Sequence, residues 1–567
     1  MDGLTELLGG SLSALRKAAT LRGWTKGLLV LVLGTNLGWA SDRPPIQFVD
    51  VAAEMGIDFV HTSGISGAKR LPETDGSGAA FFDADGDADL DLYLVNSGDV
   101  LAGRGGAANR LYRNDGQGFT DITAAAGVAG KAYGMGVVAG DFDADGDSDL
   151  YLTNWGADIF YRNEGVGAFV DATQQVGLGN RQWGSSGSLL DADGDGDIDL
   201  FVANYVEFGL DTHPWCGRRD MDLRFYCDPR QYRPSRDLLY RNQGDGTFVE
   251  IGQQVGIVHL GNGLGVVSGD FDDDGDADLY VANDMGPNFH YDNQGTGQFQ
   301  EIGLLAGTAR SADGAAQAGM GVDAGDFDND ADLDLFVTNY QLENNTLYRN
   351  DGLYFPEVSF AAGTGQISLN YLGFGTGFFD YNNDGWLDLF VANGHVHDNI
   401  EAYDELVTYA QRAQVFRNRG GQYVEVTDSL GSGLAVSYVG RGSAFGDYDG
   451  DGDLDIALVS SNGPAALLRN EGGNAGHWLQ IELEGRANNR DGIGAKVYVH
   501  SGGVRQLRQV KAGSGYQSTS QQGPFFGLGA RDRVERLEVR WPSGQIQILE
   551  DIAANQILVV EEPAQVR

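Results

Sequence analysis

Short apolar runs with a period of two recur along the chain, as in Leu150-Tyr151-Leu152-Thr153 and Leu279-Tyr280-Val281-Ala282, and they read as strands. Seven such runs each follow a polar loop opening on an aspartate, at Asp83, Asp141, Asp191, Asp270, Asp326, Asp380 and Asp447. The twelfth residue of each stretch is aliphatic: Leu94, Leu152, Val202, Val281, Val337, Val391 and Leu458. A Gly-rich run precedes each loop, as in Gly134-Met135-Gly136-Val137-Val138-Ala139-Gly140. It reads as a strand with too little side chain for an ordinary core, suited to a place where backbones crowd together. Two further phrases keep step. One resembles Leu-Tyr-Arg-Asn-x-Gly and begins at Leu111, Phe160, Leu239, Phe289 (one residue longer), Leu347, Val415 and Leu467. The other is an aromatic followed two residues later by an acid, at Phe48, Phe119, Phe169, Phe248, Phe299, Phe355 and Tyr423.

Four strands in each repeat of roughly 50 to 60 residues make the unit of a propeller blade, so the pattern predicts an all-β, seven-bladed β-propeller with the Gly-rich strands innermost. The phasing also predicts how the ring closes. The aromatic-acid phrase at Phe48 precedes the first loop, while the seventh repeat ends after Leu467-Leu468-Arg469-Asn470 without one. The N-terminal strand is therefore expected to complete the last blade and hide two open edges at once.

Positions 1, 3, 5 and 9 of every loop carry carboxylate or carboxamide oxygen, an alternation that lets side chains converge on a hard cation of calcium size. The predicted ligands are Asp83, Asp85, Asp87 and Asp91; Asp141, Asp143, Asp145 and Asp149; Asp191, Asp193, Asp195 and Asp199; and Asp270, Asp272, Asp274 and Asp278. The remaining loops supply Asp326, Asp328, Asp330 and Asp334; Asp380, Asn382, Asp384 and Asp388; and Asp447, Asp449, Asp451 and Asp455. Up to seven calcium ions are expected. Magnesium fits less well because it keeps its waters, and an EF-hand is excluded by the aliphatic residue where a bidentate Glu is needed. Position 6 is Gly146, Gly196, Gly275, Gly385 and Gly452, but Ala88 and Ala331 in two loops, where a sharp turn calls for positive φ. The Asp380 loop, with Asn382 and Trp386, has the least negative charge and the weakest expected affinity.

The repeat resembles the FG-GAP (VCBS) repeat of integrin-α-type propellers over residues 46–472. The segments Asn489-Arg490-Asp491-Gly492-Ile493-Gly494-Ala495-Lys496, Ala512 to Ser518, Phe526-Gly527-Leu528-Gly529 and Val539 to Gly544 resemble an ASPIC/UnbV domain, here residues 477–567. The order of the two resembles that of the cartilage acidic protein family. The resemblance implies a secreted, calcium-binding propeller and no established reaction. The tail alternates in Trp478 to Leu483 and Lys496 to His500, with hairpin turns at Ser501-Gly502-Gly503 and Pro542-Ser543-Gly544, and is expected to form a small sandwich-like module beside the propeller.

Charge is distributed unevenly. The net charge is −43, yet residues 477–567 hold 11 basic and 10 acidic residues, which leaves the acidity on the ring. Nucleic acid and anionic membrane are therefore poor partners. Because 33 acids fall at odd loop positions, bringing them together without cations is self-repulsive. Residues 1–40 place Arg16, Lys17, Arg22 and Lys26 before an apolar run, Gly27 to Gly34, and a small-residue site ending at Ala40. This reads as a secretory signal too short to span a bilayer, with an uncleaved anchor or a misassigned start as alternatives.

Cys216 and Cys227 are the only cysteines and sit in the largest insertion, between the third and fourth loops. In an exported chain they are expected to form a disulfide, with buried thiols or, with only His213 nearby, a zinc pair as the competing readings. No nucleophile elbow, phosphate loop or zinc-protease motif occurs. His395 and His397 could share a face, but such a pair more often satisfies loop backbone. Two functions fit: a recognition or adhesion module for an extracellular protein or glycan, and a propeller enzyme or biosynthetic accessory acting on a polysaccharide or small molecule.

Overall fold

A strand that is apolar on both faces needs a neighbour on each side, and the repeat supplies both within a short span of chain. Each hydrophobic run pairs antiparallel with the Gly-rich strand before it and the Arg-Asn strand after it. In the computed structural model, which describes residues 45–102, 107–486 and 489–564, seven sheets follow this plan. The first comprises Ala79–Phe82, Asp91–Leu94, Arg110–Asn114 and Phe119–Asp121 in that order. The other inner strands are Tyr133–Gly140, Gly184–Leu190, Gly263–Gly269, Gly319–Gly325, Gly373–Phe379 and Gly440–Gly446. Neighbouring inner strands lie side by side in chain order, and the last lies beside the first, so the sheets form the blades of a closed propeller.

Ring closure uses the N-terminal strand as the phasing predicts. Gln47–Asp50 pairs antiparallel with Ala466–Glu471, placing Phe48 opposite Asn470. Phe48 is fully buried and lies 6.5 Å from Phe379 and 6.2 Å from Tyr381, ring centre to ring centre, on the preceding blade. Phe119 stands 5.6 Å from Tyr448 of the seventh blade, so the aromatic of the aromatic-acid phrase fills the space between blades. The fifth blade departs from the plan. Its third strand is only Thr346–Tyr348, and the phrase at Phe355 makes one isolated bridge, Tyr348 to Glu357, because Pro356 cannot donate to a ladder.

The loops are wound by their own carboxylates. In each, Oδ2 of position 1 accepts the N–H of position 6 at 2.7–3.2 Å. This turn puts position 6 in the left-handed region in all seven loops, Ala88 at φ 71° and Ala331 at φ 79° included. Position 4 is left-handed as well, at Ala144, Asp273, Asn329 and Asn383 among others.

The tail is a sandwich of two sheets. One orders Phe525–Gly529, His477–Glu484 and Ile557–Glu561, the last pair parallel; the other orders Val504–Gln509, Lys496–Ser501, Arg533–Arg540 and Ile546–Ala553. The expectation that it packs merely beside the ring needs correction, since residues Ala512 to Gln522 thread the ring axis. Leu189 donates to the Ala512 carbonyl, Val137 to Gln517, Phe81 to Thr519, and Val322 and Gly515 bond each other reciprocally. These bonds satisfy inner-strand groups that would otherwise face an empty channel. Here the glycines show their purpose: a Cβ on Gly78 would stand 1.6 Å from the Gln517 carbonyl oxygen, so no larger residue fits beside the plug.

The insertion between Asn204 and Leu238 crosses the opposite face of the ring. His213 Nε2 lies 2.9 Å from the Ala68 carbonyl oxygen, and Asn399 donates to the Arg224 carbonyl oxygen at 3.0 Å. Cys216 and Cys227 are joined by a disulfide within it. The expected signal over residues 1–40 lies outside the described residues.

Two measurements check this architecture. Deleting residues 46–60 should accelerate hydrogen exchange around Asp447 to Asn470, on the far end of the chain, and loosening confined to the first blade would contradict the closure. Ala88→Gly should stabilise the protein by about 1 kcal/mol through relief of left-handed strain at an exposed position, read as a higher denaturation midpoint. An unchanged or lower midpoint would contradict that assignment.

Candidate metal centres

Carboxylates from positions 1, 3 and 9 converge in the loops. Those of Asp83, Asp85 and Asp91 offer one oxygen each, all within 4.8 Å of one another, and Asp141, Asp143 and Asp149 do the same. So do Asp191, Asp193 and Asp199; Asp270, Asp272 and Asp278; and Asp326, Asp328 and Asp334. Position 5 is also tied within the loop. In every loop its Oδ1 accepts the N–H of position 7, as Asp145 does from Asp147 at 3.0 Å.

Position 9 has a second duty. Its Oδ1 accepts the backbone N–H of the asparagine in the Arg-Asn phrase of the same blade, at 2.7–2.8 Å in all seven. In six loops its Oδ2 accepts the N–H of position 2. In the Asp380 loop the Asn382 amide takes that place, 3.2 Å from Asp388. Position 9 therefore joins the loop to the third strand whatever else it binds.

The same asparagine ties neighbouring blades. Asn163 donates to the Ala84 carbonyl oxygen of the preceding loop at 2.9 Å, Asn242 to Phe142 at 3.1 Å and Asn293 to Ala192 at 2.8 Å. Asn350 reaches Phe271, Asn418 reaches Phe327, and Asn470 reaches Tyr381. Asn114 closes the circle on Tyr448 at 2.7 Å. Sequence reasoning used this residue only to count repeats, although its strict co-occurrence with the Asp loop was the available signal.

The donor set fits a hard cation. Oδ1 of Asp85, Asp143, Asp193 and Asp328, all at position 3, is buried and accepts no hydrogen bond. Leaving such an oxygen bare costs about 1–3 kcal/mol unless something positive meets it. Burial, and after it the neighbouring carboxylates, raises Asp191 to about 6, and burial foremost raises Asp91, Asp326, Asp380 and Asp447 to about 7. Asp141 is also raised to about 7 by burial and then by Asp491 of the tail.

The tail lies over this face and brings cations of its own. Lys496 Nζ stands 2.8 Å from Asp270 and 2.8 Å from Asp273. Burial opposes its charge, and the two carboxylates outweigh burial and raise its pKa. Arg490 comes within 3.8 Å of Asp141, and the half-buried Arg508 acts on both Asp326 and Asp380. Arg417, from the blade itself, donates to Asp384 at 2.9 Å. The near-neutral net charge of the tail concealed this placement, in which basic residues face the ring.

The two histidines are not brought together as ligands. His395 accepts the His397 N–H on Nδ1 at 3.0 Å, and burial, with smaller contributions, lowers His395 to about 3 and His397 to about 4. His397 stacks on Tyr226 of the insertion, rings 6.1 Å apart.

The FG-GAP-like repeat family matches residues 83–152, 141–202, 225–281, 270–337 and 326–391, and the ASPIC and UnbV family matches residues 485–567. Cartilage acidic protein 1 of Homo sapiens is 24% identical over 549 residues, 93% of this chain and 68% of that protein. The Mus musculus protein is 25% identical over 533 residues, covering 90% and 67%. A bacterial surface component of the type-IX secretion system of Porphyromonas gingivalis aligns over 84% of this chain and 60% of its own with 11% identity and a TM-score of 0.39. With repeats, tail and relatives in agreement, the chain belongs to the FG-GAP repeat proteins that carry a C-terminal ASPIC/UnbV domain, the family of cartilage acidic protein 1.

Proposed function

We propose that the protein is an exported, calcium-loaded propeller that serves as a recognition module for an extracellular protein or glycan. The observation that carries the calcium reading is the buried, partnerless oxygen at position 3 of four loops, placed beside two further carboxylates. Calcium accepts six to eight oxygen ligands in flexible geometry, so a loop of carboxylates and carbonyls suits it. The bound ion would supply positive charge, while this chain's own residues hold the loop through positions 1, 5 and 9 and link it to its neighbour through asparagine. Export is supported by the Cys216–Cys227 disulfide, which persists in oxidising compartments. Among the described residues no helix is long and apolar enough to cross a membrane. A ring made rigid in this way would present the connections of one rim as a fixed surface, as loops on a scaffold do.

The sites are not equivalent. The Asp380 loop has the fewest carboxylates and is flanked by Arg417 and Arg508, and the Asp270 loop already holds the Lys496 ammonium. Among the described residues no tail cation pairs with the Asp191 loop, which keeps its full set of carboxylates and is approached only by Arg241 of its own blade, 3.8 Å from Asp193. The Asp380 and Asp270 loops should therefore release calcium first and the Asp191 loop late.

Calorimetry with calcium and scanning of thermal unfolding with and without chelator test the proposal. Calcium should bind at several sites, and chelation should lower the melting temperature sharply. No binding, or unfolding indifferent to chelator, would overturn it. Lys496→Met should strengthen binding at the Asp270 loop, and an unchanged titration would overturn the ranking alone.

The chelated protein should also lose stability as pH rises. Its loop carboxyls, raised to about 6 to 7 in the fold, hold protons there that the unfolded chain has already released at its ordinary value of about 4. The folded state thus binds more protons, and stability falls as pH rises above about 4, through about 7 and on toward about 9, where Asp149 and Asp453 release theirs. Calcium-saturated protein should lack this slope. A chelated protein that grows more stable between pH 5 and 7 would contradict the assignment.

A further inference from the structure

A chamber of about 240 Å³ lies at the ring axis on the face opposite the Asp loops. That placement follows from the topology, because its walls come from connections after the second strands: Asp284 and Met285, Tyr340, and Val396 and His397. Tyr226 to Pro229 of the insertion form its roof, and the Cys216–Cys227 disulfide pins that segment. The roof is held further by Tyr226, whose hydroxyl donates to Glu73 at 3.2 Å, and by Phe225, whose ring lies 4.5 Å from that of Tyr403.

Three aspartates line the chamber, and two of them, Asp75 and Asp284, have no salt-bridge partner among the described residues, whereas Asp228 pairs with Arg230. Asp75 is 4% exposed, its Oδ1 accepts from the Thr74 hydroxyl at 3.0 Å, and its Oδ2 is buried without any partner. Asp284 is 7% exposed and accepts the Tyr205 hydroxyl at 2.6 Å. Burial, and for Asp75 the nearness of Asp284, raises Asp75 to about 8, and burial raises Asp284 to about 7. The cations nearby make their contacts elsewhere and act on the pair only through space, Arg441 on Asp75 and Arg230 on Asp284. Arg441, fully buried behind the Phe374 ring, donates to the carbonyl oxygens of Thr74, Gly394, Gly440 and His395, and Arg230 pairs with Asp228. The other walls combine aromatic and thioether side chains, Tyr205, Tyr340, Phe374, Met285 and Met320, with aliphatic Leu71, Leu264 and Val396. Met285 is held at φ 55°, a strained conformation for that residue.

A pair of buried acids with no ion-pair partner in contact, lined by aromatic side chains, is matched by a positive group with an apolar skirt. Carboxylate attraction and cation–π contact then act together in a desolvated space. We infer that the chamber is a binding site for a small organic cation, an alkylammonium or quaternary ammonium compound, held between Asp75 and Asp284 against Tyr205, Tyr340 and Phe374. The site is separate from the Asp loops and does not depend on their ion.

Calorimetry on the full-length, calcium-saturated protein tests it with choline and n-propylammonium against their uncharged counterparts 3,3-dimethylbutan-1-ol and n-propanol. At least one cation should bind at least tenfold more tightly than its neutral counterpart. Asp284→Asn and Asp75→Asn should each weaken that binding at least tenfold while calcium titrations stay unchanged. Absence of binding by both cations overturns the inference, as does equal binding of the neutral compounds; both readings use the natural protein and so survive a variant that fails to fold. A natively folded Asp284→Asn protein with unaltered affinity would overturn it too.

Discussion

The asparagine of each Arg-Asn phrase holds the ring together at the level where its charge is concentrated. Its backbone N–H is received by the position 9 carboxylate of its own loop, and its side-chain amide reaches the loop of the preceding blade, from Asn163 on Ala84 round to Asn114 on Tyr448. A loop carboxylate, a third strand and a neighbouring loop are thereby fixed relative to one another, seven times over. Buried amides and carboxylates with every partner in place are worth more than in water, and costly when any partner is missing. The repulsion among the loop carboxylates is therefore built into the element that defines blade spacing. Neutralising it is a requirement of the fold before it is a matter of ligand binding.

The tail completes the ring from the inside and from one face. Ala512 to Gln522 occupies the axis, where inner strands such as Gly134-Met135-Gly136 have too little side chain to fill the space. Lys496, Arg490 and Arg508 bring fixed positive charge to the Asp270, Asp141, Asp326 and Asp380 loops. Side-chain cations of the tail thus share that face with the carboxylates that would hold an ion. On the other face the stapled insertion roofs a chamber that holds the unpaired Asp75 and Asp284, so the two ends of the axis differ: one is sealed by protein, the other roofed over a cavity.

Much of this was legible in the sequence because repetition multiplies weak signals. The phase offset of Phe48 against Asn470 gave the closing strand, and the Asp spacing gave the convergence of positions 1, 3 and 9. Spacing showed that position 5 could face inward but not that a local N–H would also engage it, as the Asp147 N–H engages Asp145. The plug was invisible because Ala512 to Ser518 has no period of its own; its partners are backbone groups of strands hundreds of residues earlier. The chamber was invisible for a similar reason. Asp75 and Asp284 are unremarkable singly, and only ring topology brings them together under Tyr226.

Long-wavelength diffraction from crystals grown in calcium bears most directly on the claim that cations complete the Asp loops. Anomalous peaks should appear among the position 1, 3 and 9 carboxylates, strongest at loops such as Asp191 and weakest at Asp380. Fully ordered loops with no anomalous peak at any of them would contradict it.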